Sequence, residues 1–165
     1  MRLADQLIQE LKMEAATTRR VLERVPEAQL SWKPAEKSRT LGQLAMHIAV
    51  NPGSTASLVS ENPRQLPNFS DPEPANTAEI VDALDRSVQQ AADVLGAMDD
   101  ASLMETWRVL HGTRELMAVP RIAFLRSVML NHWYHHRGQL TVYLRQLAVP
   151  VPSIYGPSAD ENPFM

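Results

Sequence analysis

Long helical periodicity is the feature of this sequence that most limits what it can fold into. Four segments place apolar residues three or four positions apart, which is the spacing of one helix face. The pattern predicts helices over roughly residues 3 to 24, from Leu41 onward, from about 77 to 98 and from about 120 to 147. Because no stretch alternates over the length of a strand, the sequence predicts an all-α four-helix bundle in a single domain.

Polar and proline residues set the expected helix limits. Thr40 offers a hydroxyl cap for the second helix, and Thr77 is expected to cap the third. Pro52-Gly53 should end or kink the second helix, although the chain beyond it can continue as helix. Pro120 suits the first turn of the fourth helix.

Three segments lack a clear helical pattern. Residues 61–76 contain four prolines and are predicted to form a long crossover loop on the outside of the bundle. Residues 101–119 are ambiguous: a short extended or helical piece holds Trp107 inward, and His111-Gly112-Thr113 forms a turn. The tail, about residues 148–165, is predicted to run extended across the bundle.

Composition removes several classes of function. Sixteen Lys and Arg stand against 19 Asp and Glu, a net charge of −3, with no basic patch for nucleic acid. No apolar run is long enough to span a membrane and the first residues lack a secretory signal, so a cytoplasmic protein without membrane partners is expected. The chain has no cysteine, so a metal would have to use His, Asp, Glu or water.

Three histidines fall on predicted apolar helix faces. His132 and His136 are four residues apart in the fourth helix, so their side chains leave the same face one turn apart. His47 lies beside Leu44 and Ile48 on the apolar face of the second helix. Three imidazoles can bind a divalent ion and leave one coordination position for water or substrate. The pattern therefore indicates a mononuclear metal site.

Two other interpretations of the histidines remain open. Buried histidines often do no more than form hydrogen bonds in a core. Three together would leave nitrogens unpaired at a cost of about 1 to 3 kcal/mol each, whereas one cation satisfies all of them. His135, three residues after His132, is a rival ligand and is preferred as a residue of the second shell or pocket. His111 is interpreted as a surface residue of the turn.

Other metal chemistries fit the sequence less well. The zinc-protease pattern needs Glu after the first His, but Trp133 follows His132. Di-iron bundles need inward Glu-x-x-His pairs, and none precedes any histidine here. A haem held by His and Met46 or Met129 stays open on spacing alone, although Met more often fills a core.

Three stretches carry a resemblance to a known family. The chain resembles the DinB/YfiT-like family of metal-dependent bacterial proteins. The stretches are Leu30–Pro34 ahead of Thr40–Ile48, then His132–Leu140, then Val151–Pro157. The resemblance implies a four-helix bundle with a crossover connection, often a homodimer, and a mononuclear site on His47, His132 and His136. Arg39-Thr40 stands where family members commonly have a Trp-Ser pair, and Pro52 is unusual so soon after the helix-two histidine.

The resemblance also implies a range of functions. The ion would be nickel, zinc, iron or manganese, and relatives such as mycothiol-dependent isomerases and bacillithiol transferases imply chemistry on a low-molecular-weight thiol. The alternatives are a metal-dependent hydrolase that uses metal-bound water and a non-catalytic, stress-linked protein that binds metal or ligand. A small-molecule substrate or thiol is the expected partner.

Several polar residues near the motifs are candidates for supporting roles. Gln43 and Gln139 are expected in the second shell of the metal, where outer hydrogen bonds orient the ligands. Arg137 and Arg145 are candidates for binding a cofactor carboxylate, with a surface position as the alternative for both.

Overall fold

The computed structural model describes all 165 residues and is mostly helical. Its four long helical segments correspond to the four predicted helices, and the last of them is a continuous run over 121–146. The helices are α1 (Leu3–Leu22), α2 (Leu41–Leu58), α3 (Thr77–Gly96), α4 (Asp100–Met104), α5 (Arg121–Phe124) and α6 (His132–Gln146), with a π-helical segment, Leu125–Asn131, between α5 and α6. The strands are β1 (Arg64–Gln65), β2 (Thr106–His111) and β3 (Arg114–Pro120).

A small mixed sheet corrects the all-α prediction. β1 pairs with β2 in parallel, and β2 pairs with β3 as an antiparallel hairpin. The predicted turn is the hairpin turn, with Gly112 at φ +61°. The inward position of Trp107 is also confirmed, since the residue is 1% exposed, and its Nε1 donates to the Glu61 carbonyl at 2.9 Å. The strands escaped prediction because β2 is short and β3 is exposed along most of its length, so no long alternation exists.

The apolar core lies between the long helical segments. Buried aliphatic side chains come from α1, α2, α3, the π-helical segment and α6, and β2 adds Trp107 and Val109. No helix combines the length and the apolar character that crossing a membrane requires.

Pro52 lies inside α2 without ending the helix. Proline has no N–H, so the carbonyl of Ile48, four residues earlier, loses its helical donor. Nε1 of Trp133 donates to that carbonyl at 2.8 Å. The N–H of Gly53 donates instead to Oγ of Ser87 on α3, also at 2.8 Å. Neighbouring helices thus replace the hydrogen bonds that proline disturbs, and α2 continues to Leu58.

Gly53 packs directly against α3, so Gly53→Ala is expected to destabilise the fold. A Cβ there would lie 2.7 Å from Oε1 of Gln90 and 2.9 Å from the Ser87 carbonyl oxygen. Overpacking of this kind costs about 1 to 3 kcal/mol. Urea unfolding measures the change. The matched control is Gly138→Ala in α6, which meets no atom within 4 Å and should be neutral or stabilising. Equal effects of the two substitutions would contradict the packing argument.

The capping residues agree with prediction at α2 and differ at α3. Oγ1 of Thr40 accepts from the Gln43 N–H at 3.1 Å, while Oε1 of Gln43 accepts from the Thr40 N–H at 3.0 Å. At α3 the cap is Asn76, whose Oδ1 accepts from the Glu79 N–H at 2.8 Å. Thr77, the predicted cap, is the first helical residue. Both Asn76 and Thr77 are good capping types, and the backbone path selects between them.

The C-terminal tail packs on α1 and α6 without regular structure. Arg20 of α1 donates to the Ser153 carbonyl at 3.1 Å. Arg145 of α6 forms an ion pair with Asp160 at 2.6 Å. The proposed cofactor role of Arg145 is therefore corrected, because its guanidinium holds the tail and does not line the cavity described below.

Candidate metal centre

Two antiparallel helical segments bring the histidines together. Nδ2 of Asn51 in α2 donates to the Met129 carbonyl of the π-helical segment at 2.8 Å. One turn earlier in α2, His47 lies opposite His132, the first residue of α6. A π-helical turn leaves backbone groups displaced from the regular ladder and is common at functional sites. Here the buried Asn51 side chain satisfies one of those carbonyls.

The three predicted ligands point one nitrogen each at a common centre. Nε2 of His132 lies 3.1 Å from Nε2 of His47 and 3.1 Å from Nε2 of His136. One ligand nitrogen from each residue lies within 4.8 Å of the others, and no carboxylate belongs to the group. His136 is buried, whereas His47 and His132 are partly exposed. The group is thus open on one side and closed on the other.

The outer nitrogens of two histidines face acceptor oxygens, and one of them is hydrogen-bonded. Nδ1 of His136 donates to Oε1 of Gln139 at 2.6 Å. Nδ1 of His47 lies 3.4 Å from Oδ1 of Asp71. A proton on each Nδ1 leaves a lone pair on each Nε2, as a metal ligand requires.

The chemistry of this donor set fits a divalent ion. With both Nδ1 atoms protonated, two Nε2 lone pairs face Nε2 of His132, which carries one proton at most. One lone pair then stays unsatisfied unless a cation is shared by the three rings. Nitrogens bound to zinc at about 2.0 to 2.1 Å in a tetrahedral site lie roughly 3.3 Å apart, close to the spacing seen here.

Burial keeps the three imidazoles neutral near pH 7. It lowers the pKa of His136 to about 4, although the Gln139 contact acts in the opposite direction. Burial and then the positive charge of Arg39 lower the pKa of His47. Burial, followed by His135 and Arg39, lowers the pKa of His132. Neutral imidazole is the form that binds metal.

The depressed pKa of His136 predicts an acid-sensitive metal-free protein. Its ordinary value is 6.5, so between that pH and about 4 the unfolded chain binds a proton that the folded chain excludes. Stability should be unaffected by this residue above about pH 6.5 and fall by about 2 kcal/mol at pH 5. Urea unfolding of chelator-treated protein measures this loss. In His136→Gln the pH dependence should shrink by that amount, and an unchanged dependence would contradict the assignment.

The other predicted site residues occupy different positions. Gln43 caps α2, where its side-chain oxygen accepts from the Thr40 N–H and its own N–H donates to Thr40. His135 is exposed and lies outside the three-histidine group, with its ring centroid 5.1 Å from that of His136. The pocket role predicted for Arg137 is corrected: its buried guanidinium contacts Glu14 and Thr18 of α1 instead. Among these residues, Gln139 is the one that hydrogen-bonds to a member of the group.

Two residues, Asp71 and Arg39, lie at the site but were not predicted there by the sequence analysis. Asp71 comes from the proline-rich loop, and its Oδ2 accepts from Nε of Arg39 at 2.8 Å while its Oδ1 faces His47. Loop residues carry no periodicity that would direct them at a helix. The Arg39-Thr40 pair, noted for its departure from the family pattern, was the one available signal.

Removing the Asp71 carboxylate should weaken metal binding. Asp71→Ala frees the outer nitrogen of His47, and loss of such an orienting partner costs about 10- to 100-fold in metal affinity. Competition with a chromophoric chelator measures the affinity. Asp71→Asn keeps an acceptor oxygen and should lose less. Identical losses in Asp71→Ala and Ser70→Ala would show that the loop, rather than the carboxylate, is responsible.

A cavity of about 570 Å³ opens on His47 and His132. Its walls come from α2, the segment 124–132, the β2–β3 hairpin and the loop over 66–71. His136 does not line it, so the ligand group presents two of its three members to the cavity.

Comparison with known proteins decides the family. The profile of the DinB family matches residues 1–163. The chain belongs to the DinB family. Members of this family bind metal, and the three histidines of this DinB protein form a group that could hold an ion.

Individual relatives are similar over almost their whole length. An uncharacterised protein, YrdA of Bacillus subtilis, is 28% identical over 166 residues, covering 95% of this chain and 90% of YrdA. A DinB-like protein of Bacillus cereus has a crystal structure with a TM-score of 0.69 at 27% identity, covering 92% of this chain and 97% of that one. The DinB-like protein YjoA of Bacillus subtilis gives 0.68 at 20% identity, covering 90% and 97%, and supports the fold alone.

Proposed function

We propose that this DinB protein is a mononuclear metal-dependent enzyme that acts with a low-molecular-weight thiol. The observation that carries the proposal is the open side of the three-histidine group. No carboxylate completes the group, and the cavity reaches two of its members. A structural site would be closed by a fourth protein ligand, whereas a catalytic site keeps a position free. In this proposal the four long helical segments form the predicted bundle around the ion.

A bound cation would supply Lewis acidity and lower the pKa of a thiol or water that reaches it. The residues of the chain hold that position in place. Gln139 and Asp71 keep the outer nitrogens of His136 and His47 protonated and their rings oriented. The apolar side chains of the cavity wall lower the local polarity beside the reacting group, which strengthens electrostatic interactions there.

The proposed ion is one of four first-row metals, and metal analysis of the purified protein identifies it. Imidazole suits many first-row ions, so we propose nickel, zinc, iron or manganese. We also propose that the protein acts as a homodimer in the cytoplasm, where small thiols are kept reduced. The family resemblance supports the dimer.

Thiol-dependent turnover of an electrophile tests the proposed reaction. Protein loaded with each ion is offered monochlorobimane and a panel of small thiols. The thiol loses its proton to the buffer, a C–S bond forms, the C–Cl bond breaks, and chloride leaves. Conversion should require both thiol and metal and should persist in His111→Ala, whose histidine is exposed in the hairpin turn.

Two outcomes would overturn the proposal. Metal-dependent cleavage of esters without any requirement for thiol would assign the protein to the hydrolases. Full metal occupancy with neither reaction would favour a binding protein.

A further inference from the structure

The residues that line the cavity beside the histidines show that it is elongated. Along α2 it is lined by residues three or four apart from His47 to Leu58. Eleven helical steps correspond to about 16 Å. Opposite α2, Val128 and Phe124 continue the wall from His132 at four-residue intervals. The cavity is thus a trough that starts at the metal ligands and runs along two antiparallel helical segments.

The sheet and the crossover loop form the outer wall of this trough. Trp107 and Val109 of β2 face it together with Met117 of β3. Leu66 and Phe69 of the loop lie at the rim and are 41% and 72% exposed. Exposed apolar side chains that border an apolar cavity mark a place where an apolar molecule enters.

The charged side chains of the trough lie only at its histidine end, where they form an ion pair with each other. The charged wall residues other than histidine are Arg39 and Asp71, which pair with each other at 2.8 Å. Farther along α2, the Thr55 hydroxyl donates to Oδ1 of Asn51 at 3.2 Å, so part of the remaining polarity is already satisfied. A charged ligand would lose its hydration in this trough without finding a wall residue of opposite charge to pair with.

We propose that the trough binds an uncharged, elongated and mainly apolar small molecule with one polar end at His47 and His132. For its reaction this inference rests on the proposed function: the molecule is the electrophile, and the more hydrophilic thiol does not occupy the apolar length. The volume of about 570 Å³ lies within the usual range for small-molecule sites.

Binding of an uncharged apolar fluorophore to metal-free protein tests the trough by itself. N-phenyl-1-naphthylamine should bind saturably to chelator-treated wild type with increased fluorescence. Ser54→Trp fills the middle of the trough from an exposed helix position and should weaken binding at least about tenfold. The matched control is Ala123→Trp, an exposed position in α5 outside the trough, which should bind as wild type. Thermal unfolding confirms that both variants are folded.

Alkyl hydroxamic acids then test the orientation of the bound molecule in metal-loaded protein. Their polar hydroxamate group should lie at the histidine end and their alkyl chain along the trough. Displacement of the fluorophore should become stronger by about fourfold for each added methylene, as expected for burial of a chain. A hydroxamate whose far end carries a carboxylate should lose this gain. In Ser54→Trp, which binds the fluorophore weakly, isothermal titration replaces displacement. The dependence on chain length should disappear there while acetohydroxamic acid still binds.

The outcomes separate this inference from the proposed function. Equal fluorophore binding by wild type and Ser54→Trp, or no binding at all, would overturn the trough even if the metal binds. Fluorophore binding without any metal binding would support the trough but contradict the proposed metal-dependent reaction. Binding that declines as rising protein concentration produces a dimer would assign the apolar rim to a second copy of the chain and contradict the proposal.

Discussion

His132→Ala should abolish stoichiometric metal binding, because it removes one of the three ligand nitrogens, which all lie within 4.8 Å of one another. Its Nε2 lies 3.1 Å from the nitrogen of His47 and 3.1 Å from that of His136. Loss of an orienting partner alone costs 10- to 100-fold in affinity, so loss of a ligand should cost roughly a thousandfold or more. Isothermal titration with each candidate ion measures the change.

Two other histidines serve as controls for this experiment. His111 is exposed in the hairpin turn, and His135 is exposed on α6 beside the site. Alanine at either position should leave one ion per chain. Retention of the ion by His132→Ala, or its loss from His135→Ala, would show that the ligand set is different.

Arg137→Ala is expected to cost about 3 to 5 kcal/mol of unfolding free energy, because it leaves a shielded carboxylate without its partner. The Arg137 side chain is 2% exposed and lies 2.7 Å from Oε2 of Glu14, which is 17% exposed. Its guanidinium also donates to Thr18 at 3.0 Å and to the Tyr155 hydroxyl at 2.5 Å. The residue therefore joins α6, α1 and the tail. Urea unfolding at pH 7 measures the loss.

Arg126→Ala provides the matched control for Arg137. Arg126 lies on the same helical run and pairs with Glu10 of α1 at 2.5 Å, but its side chain is 50% exposed. Exposed pairs contribute about 0 to 1 kcal/mol. Metal affinity should be unchanged in both variants once the folded fraction is taken into account. Equal destabilisation by the two substitutions would mean that burial of Arg137 does not determine its contribution.

The ligand group could be predicted from sequence because helical periodicity places the three histidines on apolar faces and the family resemblance then assigns them as ligands. The four-residue spacing of His132 and His136, and the place of His47 on an apolar face, are local properties of each helix. Apolar faces meet in a core, so residues that share those faces come together. Arg137 was named for the chemistry of its side chain and not for its helix face, and in the structure it contacts α1 and the tail.

The surroundings of the site depend on contacts between distant parts of the chain. α2 continues through Pro52 because Trp133, 81 positions later, supplies a donor to the carbonyl of Ile48. Asp71 reaches His47 because the crossover loop folds back over α2, and that path leaves no trace in the local pattern. The trough exists because the short sheet covers it, and a six-residue strand beside an exposed one gives too weak an alternation to detect.

X-ray absorption spectroscopy on protein purified without chelators, together with its metal content, tests the central claim most directly. One divalent ion per chain, with three imidazole nitrogens at about 2.0 to 2.1 Å for zinc and lighter ligands completing the shell, is the predicted result. An ion with fewer imidazole ligands, or the same spectrum from His132→Ala, would contradict a mononuclear site on His47, His132 and His136.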